Sequence, residues 1–152
     1  MINVESTVRE VTDLSLAVRR ELERRVAIQS NQARLAALEA LVLRHGRTFF
    51  RTVAPTVHQI APPGECYRAA LRVCLCSAEL TYCFGFATAE DLGGVILPHA
   101  WVVTREGVVV DPTWGADVRG GYVGATSSLS EVAGAGRELG VSLFKRVLSA
   151  RG

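Results

Sequence analysis

Cys66, His99 and Asp111 are the residues of this chain whose types and spacing could do covalent chemistry. Cys66 stands in GECYRAAL, His99 in PHAWVVT and Asp111 in GVVVDPTW. A cysteine in the first turn of a helix lies beside amides with no intrahelical partner and near the positive end of the helix dipole, which favours thiolate. Thiolate is the form that attacks a carbonyl, and the same amides can hold the oxyanion that results. A nearby imidazole can take the thiol proton or stand as imidazolium beside the sulfur. A carboxylate on its second nitrogen fixes tautomer and orientation. Each residue also has a plainer reading: Cys66 as a small buried hydrophobe, His99 as a satisfied core or surface histidine, and Asp111 as a turn residue before Pro112.

The elements around them must bring the three together. CYRAALRVCLCSA has helical periodicity and follows a Pro-Gly loop, so it predicts a helix that opens at Cys66. GVILPHAWVVT and GVVVDPTW are Val-rich and flank Arg105-Glu106-Gly107, the pattern of two strands and a hairpin turn. Counting inward from that turn, 104 faces 107 and 99 faces 112. A diagonal contact or a small bulge then brings Asp111 to His99. An asparagine at 111 can still accept through its amide oxygen, so the sequence predicts a partial loss for Asp111→Asn and a larger one for Asp111→Ala.

Upstream, residues 1–48 read as helical. A first helix is expected over about 3–27, with a break at QSNQ and a second helix in ARLAALEALVLRHG that ends at Gly46. Residues 1–50 form the N-terminal helical layer of a single domain spanning 1–152. Val4, Val8, Val11 and Val18 make a stripe that needs a partner surface, either the sheet or another protein or copy. RTVAPTVHQIAPPGE reads as loop. LTYCFGFAT is strand-like and GGYVGAT a short strand. Ser128 and Glu131 suit a capping box, GVSLFKRVLS suits strand or helix equally, and 115–121 look mobile. Helices followed by an antiparallel sheet make an α+β fold.

Composition narrows the function classes. With 152 residues, 49% hydrophobic and 21% charged, the chain can build one sizeable core. A net charge of +2 gives no argument for nucleic acid. No apolar run is long enough to span a membrane, and the N-terminus lacks the pattern of a signal peptide, so a cytoplasmic protein is expected. Cys74, Cys76 and Cys83 read as small buried hydrophobes rather than disulfide partners. A zinc site built from the cysteines and His99 is disfavoured, because the spacing lacks the paired C-x₂₋₄-C pattern. No metal and no cofactor is expected.

Taken together and in order, GECYRAAL, HAW and VVVDPTW resemble the transglutaminase-like branch of the papain-like cysteine enzymes. They are similar to the leader peptidases of lasso-peptide pathways and to small uncharacterised proteins of phages and actinobacteria. The resemblance covers about residues 62–114. It implies a nucleophile helix packed on an antiparallel sheet, with Cys66 as nucleophile, His99 as general base and acid, and Asp111 as the orienting residue. It implies acyl transfer through a thioester on an amide-containing peptide or protein: a peptidase or amidase, or a transamidase if an amine is the acceptor. Tyr67 follows Cys66 where full-sized transglutaminases usually carry tryptophan. Gln59 lies seven residues before Cys66, one more than the oxyanion-hole glutamine of papain-like proteases, and is a candidate for that place. Trp101 and Trp114 are candidate pocket walls, and Tyr122 a candidate lining of the cleft. The competing reading is a non-catalytic protein-binding module on the same scaffold, using the N-terminal helices.

Overall fold

The computed structural model describes residues 4–28, 33–50, 65–114, 118–133 and 139–152. Helix α1 runs Val4–Ile28 and α2 Ala33–His45. In α1, Val18 and Leu22 lie one turn apart and are fully buried, as are Leu38 and Val42 of α2. The side chains of Val4, Val8 and Val11, the rest of the expected stripe, lie outside those described. The solvent face of α1 is laced with ion pairs between Arg19 and Glu23 and from Glu21 to Arg24 and Arg25. Arg25 also reaches Glu39 of α2 at 3.2 Å, tying the two helices together.

The described residues form five strands: β1 Arg47–Phe50, β2 Thr81–Ala89, β3 Leu97–Val103, β4 Val109–Val110 and β5 Gly120–Ser127. They form one antiparallel sheet in the order β1-β5-β2-β3-β4. The other α-helices among the described residues are α3 Cys66–Cys76, α4 Leu129–Ala133 and α5 Val141–Ala150. The fold is thus α+β. Tyr82, Phe84 and Phe86 of β2 alternate onto the face that carries α1, α2, α3 and α5. There Phe144 of α5 stacks on Phe84 with ring centroids 3.7 Å apart, and on Tyr82 and Tyr67. The other face carries Phe49, Cys83, Ala87, Trp101, Val103, Val109 and Tyr122, with Trp114 packed against them.

The structure corrects some expectations from sequence and decides others. The helical layer does not extend to residue 50: after Gly46 the chain turns extended, and Arg47–Phe50 pairs along β5 as an edge strand. A branched and aromatic RTFF fits a pleated surface better than a helix. The segment 115–121 is not all loose chain, since Gly120 and Gly121 are buried in β5; residues 115–117 lie outside the described set. GVSLFKRVLS is helical, with Leu143, Phe144, Val147 and Leu148 on one buried face. Cys74 and Cys83 are buried as expected, but Cys76 is exposed. Two residues apart on a helix point to opposite sides, so Cys74 and Cys76 cannot both face the core. Ser128 and Glu131 do form the capping box: the Glu131 amide donates to Ser128 Oγ, and the Ser128 amide to Glu131 Oε1.

The β3–β4 hairpin differs from the counted register by one residue. Val103 pairs with Val109 and Val102 with Val110, so the loop is Arg105-Glu106-Gly107. Gly107 takes φ +82° there, a left-handed conformation that glycine adopts without strain. The difference decides the site. A one-residue slip moves every side chain of a strand to the other face. The counted register would set Asp111 against Ala100, on the helix-covered face. Extending the observed register sets Asp111 across from Trp101, diagonal to His99 and on its face.

Candidate active site

His99 and Asp111 meet on the sheet face that carries Phe49, Trp101 and Tyr122. His99 Nε2 lies 2.7 Å from Asp111 Oδ2, and the two side chains are 6% and 0% exposed. An ionised carboxylate only accepts, so Nε2 carries the proton and donates. The carboxylate is saturated. Its Oδ1 accepts from the Thr113 amide, the Thr113 hydroxyl and the Trp114 amide at 3.0, 3.0 and 3.1 Å. Oδ2 accepts a second bond from the Tyr122 hydroxyl at 2.9 Å. The D-P-T-W segment therefore supplies its own clamp, in the manner of an Asx turn.

Cys66 is the first residue of α3 and is buried, at 7% exposed. Its thiol is near enough to His99 to favour the charged form of the ring. With Nε2 committed to Asp111, Nδ1 is the nitrogen left for the sulfur. The first bond of the α3 ladder runs from the Ala69 amide to the Glu65 carbonyl, and the Glu65 side chain does not cap the helix. The amides of Cys66, Tyr67 and Arg68 thus lie ahead of the ladder, where an oxyanion on a carbonyl attacked by Cys66 would find donors.

Electrostatics favour charge on the ring. Burial disfavours the imidazolium, but the Asp111 charge and hydrogen bond, with Cys66 adding to them, outweigh it and raise His99 from 6.5 to about 9. Burial likewise opposes the Asp111 carboxylate, yet His99 and the Thr113 and Trp114 amides hold it below the usual range. Burial pushes the Cys74 thiol up to about 11 and the Cys83 thiol higher still, so both are inert.

Aromatic rings hold the imidazole in place. Trp114 stacks on His99 with centroids 4.4 Å apart and planes 18° from parallel. Trp101, fully buried, lies behind at 6.2 Å and edge-on to Phe49. Space for these rings comes from a glycine pair. Gly85 and Gly124 face each other across β2 and β5, in the row of His99. A Cβ on Gly124 would meet Trp101 Cη2 at 2.6 Å, and one on Gly85 would meet the backbone of β5.

Of the residues singled out from sequence, the structure brings Cys66, His99, Asp111 and Trp114 into one cluster. Trp101 supports the cluster from the core rather than walling a pocket. Tyr67 is directed elsewhere: its ring stacks on Phe144, its carbonyl accepts from the Tyr82 hydroxyl, and burial raises its phenol. A residue so placed packs α3 on α5. Gln59 lies outside the described residues. Tyr122, expected to line the cleft, is fully buried and contacts Asp111 instead, and Thr113 was missed as a ligand of the carboxylate. The signal for Thr113 was present in Asp-Pro-Thr, where a hydroxyl two residues on can bond the aspartate. Nothing local could have indicated the contact of Tyr122 with Asp111. A cavity of about 310 Å³ lined by Glu90, Asp91, Val118 and Arg119 opens beyond the end of β2, and none of the clustered residues lines it. Among the described residues, no group of three or more His, Cys, Asp or Glu could hold a metal ion, and no helix is long and apolar enough to cross a membrane.

No protein-family model, curated protein or solved structure matches the chain.

Proposed function

We propose that this protein is a cysteine-dependent acyl-transfer enzyme, a peptidase or amidase, that works through a thioester on Cys66. The observation that carries the reading is the buried His99–Asp111 pair, with Cys66 at the start of a helix and near enough to favour the charged ring. In this reading His99 Nδ1 takes the Cys66 proton, and the thiolate attacks the carbonyl carbon of an amide. The negative charge that develops on oxygen is met by the first amides of α3. The imidazolium then gives its proton to the departing amine as the C–N bond breaks, leaving a thioester. Water, deprotonated by the same imidazole, releases the acid and restores the thiol. An amine in place of water would make the same enzyme a transamidase. Asp111 touches no substrate and acts by holding the ring. Leu97 shares the His99 face two residues upstream, and it and Val95 are exposed, which suits an apolar peptide segment as substrate.

Limited alkylation tests the reading. With substoichiometric iodoacetamide at neutral pH, peptide mapping should find the label at Cys66 before Cys76, although Cys76 is the exposed thiol. His99→Ala should abolish that preference, and Cys66→Ala should remain folded. Equal or faster labelling of Cys76 in the wild type would leave the buried Cys66 an ordinary core cysteine.

A further inference from the structure

We propose that Tyr122 is a positioning residue of this site, whose hydroxyl, shared onto the Asp111 oxygen that His99 binds, limits how firmly the carboxylate holds the imidazole proton. The proposal deepens the reading of Cys66 and His99 as a catalytic pair and rests on it for its functional meaning. Its geometry stands independently. Asp111 Oδ2 lies 2.7 Å from His99 Nε2 and 2.9 Å from the Tyr122 hydroxyl. Both are donors to one oxygen, so they compete for its charge. Tyr122 is fully buried and cannot touch a substrate.

Tyr122 is held at both ends. Its ring lies between Trp101, at 5.0 Å, and Trp114, at 5.9 Å. Its amide donates to Ser15 Oγ of α1 at 3.1 Å, and Ser15 donates onward to the Phe49 carbonyl at 2.9 Å. A serine hydroxyl thus bridges the paired residues Phe49 and Tyr122 of β1 and β5. Packing alone would be served by phenylalanine at 122; a hydroxyl aimed at the carboxylate is an additional feature.

The sign of the effect follows from the dipole. The Tyr122 proton sits on Oδ2, and its positive end lies near Nε2, where it disfavours the imidazolium. Among the described residues, the titratable groups that bear on His99 are Asp111 after β4, Cys66 on α3 and Tyr122 on β5; on β2 its direct partner is Gly85, and Cys83, two residues away on the same face, is kept neutral by burial. Asp111 and Cys66 both push the ring toward its charged form, and Tyr122 opposes them. An imidazolium held too firmly is a poor proton donor to a leaving amine, and catalysis is best served by a group that titrates near the working pH.

The test is an NMR titration of the His99 ring in the full chain. Tyr122→Phe keeps the packing and removes the donor, so the His99 midpoint should rise by on the order of 0.5–1 pH unit, the scale of one net hydrogen bond. Replacing Tyr122 with 3,5-difluorotyrosine strengthens the donor and should lower the midpoint. This second variant also reads the proposal if Tyr122→Phe does not fold. Opposite shifts are expected only of an electrostatic role. An unchanged or lower midpoint in folded Tyr122→Phe, or a raised one in the fluorotyrosine protein, overturns the proposal. Cys66 alkylation in the wild type separates the two ideas: its failure sinks the enzyme reading while leaving the titration result intact.

Discussion

Replacing Asp111 by asparagine should be far more damaging than a substitution that preserves shape suggests. The five groups around the carboxylate are all donors: the Thr113 and Trp114 amides and the Thr113 hydroxyl on Oδ1, with His99 and the Tyr122 hydroxyl on Oδ2. Backbone amides cannot turn into acceptors, so in Asp111→Asn the side-chain oxygen must take the Oδ1 place and the NH₂ group the Oδ2 place. The Tyr122 hydroxyl can rotate to accept. His99 can accept only by giving up the proton on Nε2, which moves it to Nδ1. The imidazole then has no lone pair for the thiol proton. The raised His99 value of about 9 against an ordinary 6.5 corresponds to about 3 kcal/mol in favour of the charged ring. Losing the carboxylate removes its main support, so Cys66 alkylation at neutral pH should slow. If Cys66 is the nucleophile, turnover on an amide or ester substrate should fall by about 10⁴-fold, the cost of a wrong tautomer in a catalytic triad. Ring ¹⁵N shifts should show the proton on Nδ1. Asp111→Ala would instead leave buried donors unpaired and cost about 3–5 kcal/mol of stability, which makes asparagine the cleaner variant. This revises the order expected from sequence, in which asparagine is the mild replacement. An Asp111→Asn protein within tenfold of wild type, with Nε2 still protonated, would refute the reasoning.

The same ion pair should make stability depend on pH. Because the folded His99 value lies above the unfolded one, its contribution is complete below about 6.5 and is lost as pH rises through about 9. Unfolding free energies should fall over that window in wild type, and turnover should decline above about 9 as the imidazolium loses its proton; Asp111→Asn should lack the stability slope, and a flat wild-type profile would contradict it. Ser15→Ala removes the hydroxyl bridge between the Tyr122 amide and the Phe49 carbonyl. Denaturant melts should show a loss of about 1–3 kcal/mol, the cost of buried polar groups left unpaired, with unchanged stability counting against the bridge.

Much of the candidate site was legible because its signals are local. Cys66 after a Pro-Gly loop, His99 inside a Val-rich strand and Asp111 beyond a turn could be named from residue type and spacing, since helix starts and hairpins are set by neighbours a few residues away. The helical N-terminus and the capping box at Ser128 were readable for the same reason. What needed the tertiary structure was anything set by contact across the sheet. Which face Asp111 occupies turns on a single residue of loop length. RTFF became a strand because β5 was there to pair with it. Tyr122, in a Gly-rich segment with no motif, reaches Asp111 only because β5 lies beside β2 and opens a glycine-lined row beneath the rings. Residue type and spacing determined which groups could react. The packing of five strands decided which oxygen each donor finds, because hydrogen bonds between distant segments depend on register and fold, which no local pattern records.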